Sequence, residues 1–278
     1  MSTKTMDSPL PQVPEPPRRP QTLTYLLASF GALILLGVVL GTSWSALNTL
    51  SRGDSFLSAN AQGITSVEVD ADAREFNFEF ADVPEAQLDI RSSDNGWELS
   101  RQGTALIVDS PDGWANWCIF GCDSTQSTVV LTLPEALNDG SLDVDLELSA
   151  GEFYGTGQFN SLVLEMSAGR LVASGSANSV DVRLGAGHAS LELADVREAS
   201  FEVSAGRLDG VLTGSVPASV SGEVSAGMLD LALPTASYDV RSTVSAGNLD
   251  NRLTTDPAAA NKVLLDVSAG NVVLRESS

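Results

Sequence analysis

The residues best suited to chemistry are few. Cys118 and Cys122 stand in Trp117-Cys118-Ile119-Phe120-Gly121-Cys122. Their spacing permits a small disulfide loop, eased by Gly121, and it is not the Cys-x-x-Cys of redox motifs. Zinc asks for four ligands, and the only histidine, His188, is distant in sequence. A structural disulfide is therefore expected if the pair sits outside the membrane. A Ser-His-Asp relay would have to use His188. That residue fills a slot taken elsewhere by Glu152 and Arg207, so it reads as an exposed corner residue. Asp209, Asp230 and Asp250 each fall three residues after a recurring glycine. They are expected to form an outward acidic column with the potential to bridge cations such as calcium. No glycine-rich phosphate loop opens a helix, and the glycines are not paired as in calcium-binding solenoids. No catalytic, cofactor or metal site is assigned, and a non-enzymatic protein is expected.

These positions belong to a chain of 278 residues with 15 Lys+Arg, 36 Asp+Glu and a net charge of −21. Such a charge disfavours nucleic acid as a partner, because phosphates need cations. It favours solubility and self-repulsion.

Residues 1–21 are polar and carry six prolines, which predicts a disordered cytoplasmic tail. Residues 22–47 include LTYLLASFGALILLGVVL, free of charge, with Tyr25 and Trp44 near its ends. About 20 apolar residues cross a bilayer core, so a single transmembrane helix is predicted. Arg18 and Arg19 precede it, which places the N-terminus in the cytoplasm and the rest outside, integral to the cell membrane. A linker is expected over 48–62.

The strongest pattern is a repeat. Ser-Ala-Gly ends at Gly151, Gly169, Gly206, Gly227, Gly247 and Gly270, and Gly185-Ala186-Gly187 is a seventh copy. Successive glycines lie 18, 18, 19, 21, 20 and 23 residues apart. Before each triplet apolar residues alternate with polar ones, as in Leu146, Leu148 and Leu162, Leu164, Met166, which is the period of a half-buried strand. After the glycine the alternation resumes out of phase, as at a bend. Glycine is expected to make the corner and alanine to sit inward, where it is small enough to turn over the core. The fold class predicted is all-β: a β-solenoid of about seven ~20-residue coils over 141–278, stacked in chain order. A less regular β region over 63–140, with strands near 64–69, 75–80, 87–90, 106–108 and 129–133, is expected to cap it.

Repeated Ser-Ala-Gly motifs flanked by apolar residues, behind one N-terminal span, resemble the toastrack-like β-strand-repeat family of bacterial putative adhesins (DUF4097). The resemblance covers roughly residues 60–275. It implies a β-helix-like fold at the cell surface, with a protein or surface partner, and no catalytic residues to carry over. Some relatives occur near envelope-stress systems. The expected role is thus surface interaction or scaffolding, with an accessory sensor of envelope stress as the alternative and a carbohydrate-active solenoid enzyme as the third reading.

Overall fold

The computed structural model describes residues 55–91, 96–110 and 128–277. Period-two alternation of apolar side chains organises most of these strands: between the ends of the stack, nearly every strand buries every second residue and leaves its neighbours less buried. The strands are β1 (Ser55–Ala59), β2 (Ser66–Ala71), β3 (Glu75–Ala81), β4 (Ala86–Arg91), β5 (Glu98–Gln102), β6 (Ala105–Asp109), β7 (Thr128–Pro134), β8 (Asp143–Ala194), β9 (Glu198–Val203), β10 (Arg207–Thr213), β11 (Ser219–Val224), β12 (Met228–Leu233), β13 (Ser237–Val244), β14 (Asn248–Asn251), β15 (Thr254–Thr255), β16 (Asn261–Val267) and β17 (Asn271–Glu276). The described residues are all-β apart from one short 3-10 turn, Glu135–Leu137. Among them no helix is long and apolar enough to cross a membrane. The apolar stretch at 22–47, the tail before it, and both cysteines lie outside the described residues.

Strands before the corners form one ladder and strands after them a second. The first runs β5, β6, β2, β8, β9, β11, β16, β13. The second runs β1, β4, β7, β3, β8, β10, β12, β17, β14. Pairing is parallel except for β1–β4, β4–β7 and β5–β6, which are antiparallel and gather at the N-terminal end. The inner residues of both ladders merge into one hydrophobic core. The described strands within 63–140 join these same ladders, since β2 and β3 both pair with β8. Ser55–Ala59, expected within a linker, is a strand paired with β4.

Three details differ from the sequence expectation. The corner alanines Ala150, Ala168, Ala186, Ala205, Ala226, Ala246 and Ala269 are exposed. The chain leaves the core at the residue before each triplet, such as Leu148 or Val203, so serine and alanine both bulge outward. It is the glycine that lies under its neighbour. A Cβ on Gly206 would come within 2.7 Å of the Gly187 carbonyl oxygen, and the fit is tighter still at Gly169 over Gly151 and Gly187 over Gly169. The same column continues through Gly227 to Gly270 and Gly247.

The order of the last rungs also departs from chain order. Val220 of β11 is paired with Val263 of β16, and Val263 in turn with Val240 of β13. On the other ladder Leu229 pairs with Val272, and Val272 with Leu249. The segment 261–276 is thus intercalated between 219–233 and 237–251, and 237–251 ends the stack. The inner side chains explain this. Segment 261–276 offers Val263, Leu265, Val267, Val272 and Leu274, all buried, whereas 237–251 places Ser242 and Asn251 beside Leu265 and Leu274. Polar residues at inner positions are tolerable only on a terminal rung, where one side stays wet.

The third difference follows from the second. The acidic column expected from Asp209, Asp230 and Asp250 is broken, because Val273 stands between Asp230 and Asp250.

Tyr238 anchors the terminal rung. It is fully buried, and its hydroxyl donates to the Pro234 carbonyl at 2.7 Å. Burial, with the Glu276 carboxylate adding to it, pushes the phenol up to about 12. An unfolded tyrosine ionises near 10, so the folded state holds its proton longer. This contribution to stability is complete below pH 10 and is lost as pH rises from 10 towards 12. Tyr238→Phe is expected to cost about 1–2 kcal/mol at neutral pH, by orphaning a buried carbonyl. It should also flatten part of the alkaline fall. Urea melts of both proteins at pH 8 and pH 11 check this.

Candidate interaction surface

On an in-register parallel ladder, outward side chains of one kind line up in columns across the rungs. On the first ladder Glu165, Arg183, Glu202, Glu223 and Asp266 form such a column, with Arg183 reaching Glu165 at 3.5 Å. Asp109, Asp70 and Glu147 are stacked likewise nearer the N-terminal end. The adjacent column is Asp181, Ser200, Ser221, Leu264 and Arg241. Between these two columns runs a groove of about 450 Å³ over β9, β11, β16 and β13, with Leu264 45% exposed. A second hollow of about 380 Å³ continues from it and shares Ser200 and Ser221. Serines floor both hollows because their small side chains leave room that the flanking acids and Arg241 do not fill.

Glu223 faces Glu202 and Asp266 directly across the rungs. Like charges opposite each other in a sheet repel by up to about 1 kcal/mol. Glu223→Gln is therefore expected to stabilise the protein by about 0.5 kcal/mol in dilute buffer. The gain should vanish at high salt, where the Debye length falls to about 3 Å. Thermal melts at low and high ionic strength measure both.

The second ladder is quieter electrostatically. Arg207 donates two charge-assisted hydrogen bonds of 2.7–3.0 Å to Asp209 Oδ1 and a third, of 2.8 Å, to Oδ2, and these hold that carboxyl below its ordinary range. Asp230 accepts from Arg275 at 3.0 Å. Asp250 pairs with Arg252, whose hydrogen bond likewise lowers it. Each aspartate of the expected column thus has its own arginine. The signal was in the sequence: Arg207 and Asp209, like Asp250 and Arg252, are two residues apart on one strand face. Among the described residues no group of three or more His, Cys, Asp or Glu is placed to hold a metal ion.

His188 lies at the corner position, half exposed, with Nε2 3.6 Å from Asp209 Oδ2. It heads a column with Arg207, Met228, Asn271 and Asn248. The seven repeat glycines gather along one edge as the packed column described above. Cys118 and Cys122, with the aromatic run Trp114–Phe120, lie outside the described residues. Trp97 is described, and it packs into the core at 7% exposure.

What the described residues define is an all-β protein of two long ladders around one core. No family model matches the chain, and no curated relative matches it. Solved structures that overlap it include a putative cell adhesion protein from Clostridium sporogenes, at 9% identity and a TM-score of 0.32, covering 81% of this chain and 99% of that one. Putative adhesins from Bacteroides fragilis and Parabacteroides distasonis each overlap at 11% identity and a TM-score of 0.42, covering 80% of this chain and 97% of theirs. Overlaps this loose fix neither the site nor its use.

Proposed function

We propose that residues 55–277 form a β-solenoid that a single N-terminal span holds at the outer face of the cell membrane, and that it serves as a non-enzymatic surface for interaction, adhesin-like or scaffolding. The observation that carries this reading is the serine-floored groove crossing four rungs of the first ladder. Its lining comes from strands paired in register, with β9, β11 and β16 flanked on both sides, so it is a preformed surface rather than a loop site. It presents hydroxyls, carboxylates, one guanidinium and the exposed Leu264, a mixture suited to a polar partner with a small apolar contact.

The test is a comparison of cells making the full chain with cells making Ser221→Arg/Leu264→Asp. Both substitutions point outward and leave the core untouched. Loss of attachment to a surface or to neighbouring envelope components supports the groove as the contact. Equal attachment by cells lacking the protein altogether sinks the proposal. Removal of residues 1–21 separates display, which survives, from a signalling accessory role, which does not.

A further inference from the structure

The intercalated C-terminal segment is held differently from every other rung. It is reached through one connection, 252–260, which tucks Leu253 into the core, pairs Thr254–Thr255 with β13 and then turns, mostly exposed, at Asp256: the Ala259 amide donates to the Asp256 carbonyl and the Ala258 amide to its side chain, both at 2.9 Å. Its far end is clasped at the mouth of the slot. Glu276 accepts from Thr235 at 3.3 Å and from Thr254 at 3.2 Å, one on each connection of the outer rung, while Ser277 donates to the Leu233 carbonyl at 2.7 Å. Nothing is threaded through it, so it can leave the slot sideways without unfolding its neighbours.

The slot can also close behind it. Val220 and Val240, Leu229 and Leu249, and the corner glycines Gly227 and Gly247 are each 20 residues apart, on opposite walls of the slot. When the segment departs, 237–251 can therefore pair with 219–233 in one common register on both ladders and at the corner. Departure costs the contacts of one rung, not of two. The freed segment keeps a strand-period apolar face, Val263, Leu265, Val267, Val272 and Leu274, that water does not satisfy. The one surface known to complement it, residue for residue, is the same slot.

From this we propose that residues 261–276 are an exchangeable rung, able to enter the equivalent slot of a second copy of this chain and so link two copies. Exchange of an identical element between copies is a low-cost route to a dimer, and a terminal segment joined to the fold by one connection is placed for it. The occupant is a second copy because the slot is matched in register on both ladders, and its end is clasped by the Glu276–Thr235–Thr254 contacts.

The experiment uses two full-length chains in detergent micelles, one Ser221→Cys and one Leu264→Cys. These positions are register partners on adjacent rungs of the native chain, and both face outward. Adjacent rungs lie about 4.8 Å apart, within disulfide reach. The chains are mixed, taken briefly to partial unfolding, returned and oxidised. Exchange predicts a Ser221→Cys/Leu264→Cys heterodimer that increases with concentration and exceeds a control pair at least tenfold. The control is Ser200→Cys with Leu264→Cys: Ser200 lines the same groove but lies one rung too far. Equal cross-linking of the two pairs, or none in either, overturns the proposal.

Discussion

Gly169→Ala is expected to lose more stability than any single core truncation of one methyl group. Two costs add. The backbone at Gly169 has φ +133°, a region essentially reserved for glycine, which costs a side chain about 1–3 kcal/mol. A Cβ there would also overlap the Gly151 carbonyl oxygen and carbon, which belong to the rung beneath and cannot swing aside as a side chain does. Relieving that overlap means parting two rungs at the corner, worth about another 1–3 kcal/mol. The expected total is about 3 kcal/mol or more, read from urea denaturation. Two companions separate the terms. Gly103→Ala, at φ +64° with open space around it, carries backbone strain alone and should cost about 1 kcal/mol. Gly206→Ala has no positive φ but meets the Gly187 oxygen at 2.7 Å and Leu184 Cδ2 at 2.8 Å, so it reports the steric part. If Gly169→Ala is no worse than Gly103→Ala, the corner column is not the tight seam described.

The corner shows what a sequence reveals about a repeat and what it conceals. The position of each turn was legible, because seven glycines do not fall at near-constant spacing by chance. Which of the three triplet residues lies against the core was not. Alternation alone extends Leu146, Leu148 to Ala150, but the chain has already swung outward there, and Ala150 is exposed. The strands β2, β3, β4, β6 and β7 were visible from their apolar alternation. The strands β1 and β5 were not, since Ser-Phe-Leu-Ser-Ala and Glu-Leu-Ser-Arg-Gln each carry little of it and gain order by pairing at the end of the stack.

The groove was less legible still. Its lining residues come from β9, β11, β13 and β16, and two of these meet only because the C-terminal segment is intercalated. Stacked in chain order, Ser221 would neighbour Arg241, and Leu264 would lie at the outer end. The acidic column on the first ladder has the same dependence: Asp266 follows Glu223 only in the observed order. Its counterpart on the second ladder, expected from equal spacing after each glycine, fails because spacing along the chain does not specify which rung lies next. Hydrogen bonding cannot specify it either, since parallel rungs in common register present the same backbone to either neighbour.

Inner side chains must therefore decide the order, and this makes it reversible by substitution. Exchanging the discriminating pairs, with Ser242→Leu and Asn251→Leu on one rung and Leu265→Ser and Leu274→Asn on the other, keeps the summed composition of the core close to native. It moves the polar inner residues from the outermost rung to the intercalated one. Left in the observed order, that chain buries a hydroxyl and an amide without partners, at about 1–3 kcal/mol each, and exposes two leucines. Stacking in chain order relieves both costs, and the common 20-residue offset between 219–233 and 237–251 lets it do so without a change of register. The four-fold variant is expected to fold with 237–251 directly against 219–233. A cysteine at Ser221 should then cross-link to one at Arg241 and no longer to one at Leu264, the reverse of the unsubstituted protein. The half-exchange Leu265→Ser/Leu274→Asn has no such escape, since polar inner residues then fall on both rungs. It should lose about 5 kcal/mol or more, on the scale of two large-to-small core substitutions. If the four-fold variant still cross-links Ser221→Cys to Leu264→Cys, rung order is set by the connections Pro234–Ala236 and 252–260 and not by the core.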